Sequence, residues 1–560
     1  TRLGDVLVRA GVLAPEALAQ ALKTQQATKQ RLGSLLVSSG LLADRDLAAG
    51  LAAQSHLPLA DLSRTSLDDE AGTLLPEDLA RRLQAIALGR TDDGTVVVAV
   101  AHPFPPVLEA IRGALRERRV SFYVASATEI RRAIDSSYRA LTGVDEEVAA
   151  FSATVDVRMT GVQRTDMATM MQDTAPVVRV VNMIITQALR DRASDVHLEP
   201  QDSRLRVRFR VDGALHDVLS LPADMAPAIA SRVKVMAGMN IVERRRPQDG
   251  QIATTVDGRE IDIRVATTGT VWGEKVVLRI LDKSRSLFRL QELGMPQSTY
   301  ETFARMIRSP YGMVICAGPT GSGKTTTLYA SLTEISGDDR NITTIEDPVE
   351  YVFPSINQIQ INEIAGLTFA TGLKAILRQD PDMILVGEMR DVETARIAVQ
   401  SAMTGHFVLS SLHATDSVSA LYRFLDMGLE AFLIASSVIG VVGQRLVRRM
   451  CQYCRVPYSP DASELAFYRE AGGVEKTDFW IGEGCNFCSG TGYSDRVGVY
   501  ELLRVTEEMR ELIVQPHPSH DGMRKLAQAQ GLRPLREEGA RLVGEDVTTI
   551  GEILRCIYTL

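Results

Sequence analysis

The chain has 560 residues, 45% of them hydrophobic and 24% charged, with a formal net charge of −8. This is a globular composition with material for several domains. The acidic balance gives no support to a broad nucleic-acid-binding surface, so a helicase is disfavoured. Six cysteines at this length do not make a disulfide scaffold, and two CxxC pairs among them point to metal and a reducing compartment.

The first 54 residues say one thing twice. "RLGDVLVRAGVLAPEALAQALKTQ" (Arg2 to Gln25) aligns without a gap on "RLGSLLVSSGLLADRDLAAGLAAQ" (Arg31 to Gln54). Arg2 matches Arg31, Leu3 Leu32, Gly4 Gly33, Gly11 Gly40, Leu18 Leu47, Leu22 Leu51 and Gln25 Gln54. Each copy reads as a helix, a turn at its second glycine and another helix. Two copies are too few for a solenoid. An arginine can pair with the O6/N7 edge of guanine. The glycine beside it would let a ligand approach the backbone, and leucines can cover a purine. A tandem site of this kind suits a long ligand with two guanines. The alternative is a helix-pair module that only packs on a partner. Arg2 is followed by an amphipathic pattern and no apolar block, so a signal peptide is not expected.

Residues 1–141 are expected to be mostly helical, with a buried strand at "TVVVAVAHP" (Thr95 to Pro103) and a helix at "EIRRAIDSSYRAL" (Glu129 to Leu141). Residues 142–172 lack a convincing period and read as a linker. A compact α/β unit follows over 173–283. "PVVRVVNMIITQALR" is its helix, and six strands run from "DVHLEP" to "EKVVLRIL", with hairpin turns at Asp212-Gly213 and Asp257-Gly258. In "RLRVRFR", Arg204, Arg206, Arg208 and Arg210 share one strand face while Leu205, Val207 and Phe209 point inward. Four like charges on one face repel, so acidic partners are expected for two or three of them.

From 284 to 560 strands alternate with helices. "GMVICAGPTGSGKTTTLYASL" is an apolar strand, a phosphate loop and a helix. Gly318, Pro319, Thr320, Gly321, Ser322 and Gly323 form the loop, Lys324 supplies charge for β/γ-phosphates, and the Thr325 hydroxyl can ligate Mg²⁺, beside Thr326. "MILVGEMRD" is a buried strand ending at Glu388, and "ITTIEDPVEY" sets Glu346, Asp347 and Glu350 after a β-rich run. Strand ends are where a parallel sheet presents chemistry. "AFLIASSVIGVVG" (Ala431 to Gly443) is too short to span a bilayer and reads as a buried helix. Cys451, Cys454, Cys485 and Cys488 make two knuckles suited to a closed, structural Zn²⁺ site, with a redox pair or iron–sulfur centre as alternatives. Cys316 and Cys556 read as core residues.

The segments "AGPTGSGKTTTLYASL", "TTIEDPVEY", "LVGEMRDVETA" and "TGHFVLSSLHATD" resemble the Walker A, Asp box, Walker B and His box of the secretion superfamily ATPases. "ASDVHLEP", "RVRFRVDG" and "GEKVVLRIL" resemble that family's second N-terminal domain. The resemblance covers nearly the whole chain and is closest to type IV pilus assembly (extension) ATPases and type II secretion ATPases. Met389 stands where relatives commonly have Ile, a conservative apolar change.

The resemblance implies a multidomain α/β protein: a mostly helical N-terminal domain (1–141), a linker (142–172), a small PAS-like α+β domain (173–283) and a RecA-like P-loop NTPase domain (284–560) with a tetracysteine zinc insertion (445–495). It implies ATP, Mg²⁺ and Zn²⁺ as cofactors. Glu346 and Glu388 become the water-activating and metal-shell carboxylates, with the general base left open between them. Asp347 joins the nucleotide site, His406 and His413 sense the γ-phosphate, and Arg210, Arg264 and Arg279 reach the phosphates as arginine fingers. The doubled repeat resembles the cyclic-di-GMP-binding domain found in some of these ATPases. The expected protein is a cytoplasmic, hexameric motor that acts on an inner-membrane platform protein and crosses no membrane itself. Pilus assembly and type II secretion both fit; a non-hydrolysing, nucleotide-gated adaptor is the alternative of another class.

Overall fold

The computed structural model describes residues 3–28, 30–39, 41–62, 74–116, 119–159, 175–282, 288–337 and 339–557. The duplicated segment forms four helices, α1 (Leu3–Arg9), α2 (Pro15–Thr28), α3 (Leu32–Ser38) and α4 (Asp44–Ser55). Leu7 and Leu36, equivalent in the two copies, are both fully buried. The four helices pack through Val124 onto a three-stranded sheet, β1 (Ala85–Arg90), β2 (Val96–Val100) and β3 (Val120–Val124). β1 is antiparallel to β2, and β3 is parallel to it. The expected strand near 95–103 is thus the middle of a sheet whose two flanking strands, short apolar runs in helix-rich surroundings, carry little periodic signal.

Within 142–172, expected to be a linker, there is a helix over Val144–Met159. Its Val144 and Phe151 are buried in the same core as the Pro176–Arg190 helix. Among its described side chains, Val144, Val148 and Phe151 touch that core, too few to make a clear stripe. Residues 160–174 lie outside the described residues.

The next unit is a six-stranded sheet in the order β6-β5-β4-β9-β8-β7, antiparallel throughout. Its strands are β4 (Asp195–Pro200), β5 (Arg204–Val211), β6 (Ala214–Pro222), β7 (Gln248–Val256), β8 (Arg259–Thr270) and β9 (Gly273–Asp282). Both hairpin turns have positive φ at each central residue: Asp212 47°, Gly213 85°, Asp257 48° and Gly258 75°. That is the type I′ geometry Asp-Gly favours. Leu205, Val207 and Phe209 are buried, as the alternation requires.

The largest sheet has the order β12-β11-β13-β14-β10-β15-β18. These are β10 (Gly312–Ala317), β11 (Ile342–Glu346), β12 (Asn357–Gln360), β13 (Met383–Val386), β14 (Phe407–Leu412), β15 (Val438–Met450) and β18 (Tyr493–Arg504). All pairs are parallel except β15 with β18. This is a RecA-like α/β core. The apolar run read as one buried helix is a helix only over Ala431–Ser437 and continues as β15 from Val438. The β-branched Val438, Ile439, Val441 and Val442 suit a strand better than a helix. Between β15 and β18 lies the cysteine excursion, with β16 (Arg455–Tyr458) antiparallel to β17 (Phe479–Gly482).

That excursion touches the other units. Arg132 sits 3.8 Å from the centroid of the Phe487 ring and donates to the Phe487 carbonyl at 3.3 Å. Arg45 of α4 lies 5.9 Å over the Tyr453 ring, and just beyond the excursion, at the start of β18, Asp495 pairs with Arg192 at 2.6 Å. No described helix is long and apolar enough to cross a membrane.

Candidate functional site

The C-terminal ends of the parallel strands gather most of the motif residues. β10 is buried along its whole length and delivers the loop Gly318–Gly323 to the helix Lys324–Ile335. Gly321 and Gly323 have φ of 78° and 88°, a region other residues rarely adopt. A Cβ on Gly318 would lie 2.4 Å from Ser322 Oγ and 2.7 Å from the Gln444 carbonyl. Gln444 Nε2 in turn donates to the Ser322 carbonyl at 2.8 Å, bracing the loop from β15. Lys324 Nζ donates to the Gly318 and Pro319 carbonyls at 2.8 and 3.0 Å, and burial lowers its proton affinity. The buried Ser322 Oγ has no hydrogen-bond partner among the described residues. Pinched glycines, a charge folded over them, an orphaned hydroxyl and a helix N-terminus fit a phosphate chain.

Glu388 follows β13. Arg390 pairs with one of its oxygens, and His413 Nε2, at the end of β14, lies 3.3 Å from the other. Arg390 also approaches Asp347 at 3.8 Å. Glu346 is different: it is buried and accepts from Tyr329 Oη at 2.5 Å, Thr344 Oγ1 at 2.6 Å and Gln358 Nε2 at 3.3 Å. Tyr329 also accepts from the Glu350 amide at 3.1 Å, tying the phosphate-loop helix to the Asp box. His406 is not brought to this edge. It precedes β14, and its carbonyl accepts from Gly312 at the start of β10. A strand rises ~3.3 Å per residue, so His406 sits roughly 20 Å from the loop end of the sheet. Its Nδ1 contacts the Ser401 carbonyl at 3.1 Å, a local role at a helix end.

The arginines fall into one row across the second sheet. Arg210 in β5 is opposite Asp195 in β4, Asp195 is opposite Arg279 in β9, and Arg279 is opposite Arg264 in β8. Arg264 and Arg279 both act electrostatically on Glu350, whose proton affinity burial raises, so the row faces the Asp box. Arg206 and Arg208 are neutralised by Asp217 and Glu199, both bidentate, while Arg204 donates to Gln201.

The four cysteines meet. Their Sγ atoms all lie within 4.8 Å of one another, and three of the separations are 3.8 Å. Zn–S bonds of ~2.3 Å in a tetrahedron put sulfurs about 3.8 Å apart. The Cys485 and Gly492 amides donate to Cys488 Sγ at 3.2 Å each, and Gly484 N donates to Cys454 Sγ at 3.3 Å. The Cys451 thiol and the Cys485 and Gly492 amides, against the cost of burial, hold the Cys488 thiol well below its ordinary value, which suits a thiolate. The donor set fits a closed tetrahedral metal site. Cys316 is buried in β10, which pushes its thiol up to about 12; Cys556 is half-buried.

In the tandem repeat the structure corrects one expectation. Gly4 and Gly33 do not open the backbone to a ligand. A Cβ on either would lie 2.9 Å from a leucine methyl, Leu18 for Gly4 and Leu47 for Gly33. The glycines let the two helices of each copy touch. Leu51 is buried and Leu22 is 41% exposed. Leu3 and Leu32 are partly buried against the same core. Gly11 turns the chain with φ of 72°, Gln25 donates to the Gln30 carbonyl and Gln54 is exposed. Arg31 is exposed and lies 5.1 Å over the Phe104 ring. Arg2 and Gly40 lie outside the described residues.

Sequence reasoning passed over Tyr329, Arg390, Asp195 and Gln444. Tyr329, five residues after Lys324, and Arg390, two after Glu388, stand inside the motifs themselves; the partnerships of Asp195 and Gln444 depend on strand register.

A RecA-like sheet with a phosphate loop, strand-end carboxylates and an arginine-bearing second domain defines a P-loop NTPase. Residues 170–555 match the family described as Type II/IV secretion system protein, and residues 55–144 match the MshEN domain. Type II secretion system protein HxcR of Pseudomonas aeruginosa is 50% identical over 384 residues, 69% of this chain and 78% of that protein. Type IV pilus assembly ATPase PilB of Myxococcus xanthus is 37% identical over 558 residues, 99% of this chain and 98% of that protein. The structure of the ATPase DotB of Legionella pneumophila shares the fold at 20% identity, with a TM-score of 0.51 over 67% of this chain and 94% of that one. The chain belongs to the type II/IV secretion system family of ATPases.

Proposed function

We propose that this chain is a cytoplasmic, hexameric motor that hydrolyses ATP to drive type IV pilus assembly through an inner-membrane platform protein, under control by cyclic-di-GMP. The observation that carries the pilus reading is the end-to-end alignment with a PilB, 99% of one chain on 98% of the other. HxcR and two other type II secretion relatives align over 69% of the chain, and that of Pectobacterium carotovorum over 87%.

In this reading the loop Gly318–Gly323 and Lys324 hold the phosphates, with Thr325, Thr326 and Asp347 around Mg²⁺. Glu388, kept between Arg390 and His413, orients the attacking water. Its 18% side-chain exposure, against the burial of Glu346, supports that division. Arg210, Arg264 and Arg279 stabilise developing phosphate charge. Four cysteines hold one Zn²⁺. Arg2 and Arg31 read the guanines of cyclic-di-GMP, supported by the duplication and by the MshEN match beside it.

The 50% identity to HxcR favours type II secretion as a second reading. Expression in a pilus-less strain lacking its own PilB tests the first. Restored surface pili support it; restored secretion in a strain lacking its type II ATPase, with no pili in the first, replaces it.

A further inference from the structure

Asp195, inside the segment "ASDVHLEP" but given no role by it, sits between Arg210 and Arg279 in the arginine row. It is 6% exposed, in a strand flanked on both sides by arginine-bearing strands. Its Oδ1 accepts from Arg279 Nε at 2.9 Å. Its Oδ2 accepts from Ser194 Oγ at 2.8 Å and lies 3.7 Å from Arg210 Nε. Arg210 is fixed a second time, by a bond of 2.9 Å from Nη1 to the Gly213 carbonyl.

Neighbours across strands stand ~5 Å apart, where like charges repel. Three guanidiniums in one row would splay without a carboxylate among them. A buried carboxylate is costly unless charged donors satisfy it, and here they do. Asp195 engages Arg279 through Nε, so the two Nη groups are not spent on that bond. Arg279 accordingly keeps 59% of its side chain exposed while its root is fixed. Glu350 of the Asp box lies within electrostatic reach of Arg264 and of this arginine.

We propose that Asp195 is a positioning residue for ATP hydrolysis: it holds Arg279, and with it Arg210, in the register from which they meet the phosphates. The inference rests on the arginine roles given above. A buried anion that held the sheet together and nothing more would contribute to stability alone. A positioning anion contributes to turnover through the arginines, because a misplacement of about 1 Å can cost ~100-fold in rate.

The test is ATP turnover by the full chain carrying Asp195→Asn, Arg279→Ala or both. Asp195→Asn keeps the shape and removes the charge. The expected result is a fall in kcat of roughly 10- to 100-fold with KM for ATP within about 3-fold of wild type, and a double variant whose loss is well short of the product of the two single losses, what remains beyond Arg279→Ala alone being the share carried by Arg210. If Asp195→Asn is insoluble, Ser194→Ala replaces it, with a fall in kcat of about 2- to 5-fold at unchanged KM. Should Arg279→Ala turn over at the wild-type rate, the arginine reading fails first. Should Arg279→Ala be slow while Asp195→Asn (or Ser194→Ala) keeps wild-type kcat, or the two effects multiply, Asp195 does not position it.

Discussion

Gly33 stands against Leu47 so closely that a Cβ would come within 2.9 Å of the leucine Cδ1, and the same contact recurs between Gly4 and Leu18. The duplication is therefore structural at its glycines. Gly33→Ala should destabilise the helix pair by about 1–3 kcal/mol through overpacking, and weaken cyclic-di-GMP binding through the fold. Arg31→Ala should leave the fold intact, because its guanidinium lies on the surface over Phe104, yet lower affinity about 5- to 150-fold. Isothermal titration with cyclic-di-GMP and thermal melts of both full-length variants separate the two effects. Unchanged affinity in Arg31→Ala removes the guanine-reading role.

The cysteine module should carry about one Zn²⁺ per chain, and Cys451→Ser should lose it. Tyr453 and Phe487 lie within the two knuckles, beneath Arg45 and Arg132. Metal loss should accordingly loosen the N-terminal helices as well. Hydrogen exchange is expected to quicken at 451–456 and 485–495, and also at 127–137. Faster exchange confined to the module would show that the arginine contacts do not depend on metal.

Glu552 is buried among Arg448 and Arg555. Burial works against its charge, but the two guanidiniums outweigh that and hold its carboxyl at about 2 against an ordinary 4.5. A carboxyl held low stabilises the fold above its unfolded value and ceases to as pH falls. The contribution, on the order of 3 kcal/mol, is thus present above pH 4.5 and lost between 4.5 and about 2. Thermal melts at pH 5 and pH 3 should show Glu552→Gln less stable than wild type at pH 5, with the gap narrowing at pH 3. A constant gap would mean the pair does not titrate in this window.

Much of the site was legible because its parts are local. A strand, six loop residues and a lysine are contiguous in sequence, and so are the alternating arginines and the paired cysteines. The unread parts depend on register. Nothing in "ASDVHLEP" says that Asp195 will lie between Arg210 and Arg279, since that needs the pairing of three strands. His406 misled because it is seven residues from His413 across a strand, which carries the two to opposite edges of the sheet. The helix over Val144–Met159 and the strand from Val438 went unread for the same reason: their burial is set by partners distant in sequence.

The central claim is that the loop after β10 hydrolyses ATP. Phosphate release by the full chain, measured beside equilibrium ATP binding, tests it in Lys324→Ala and Glu388→Gln. Lys324→Ala should abolish turnover, because it removes the charge folded over the loop. Glu388→Gln should bind ATP with a Kd within a few-fold of wild type and lose turnover by ~100-fold or more. Wild-type phosphate release by either variant would contradict the account.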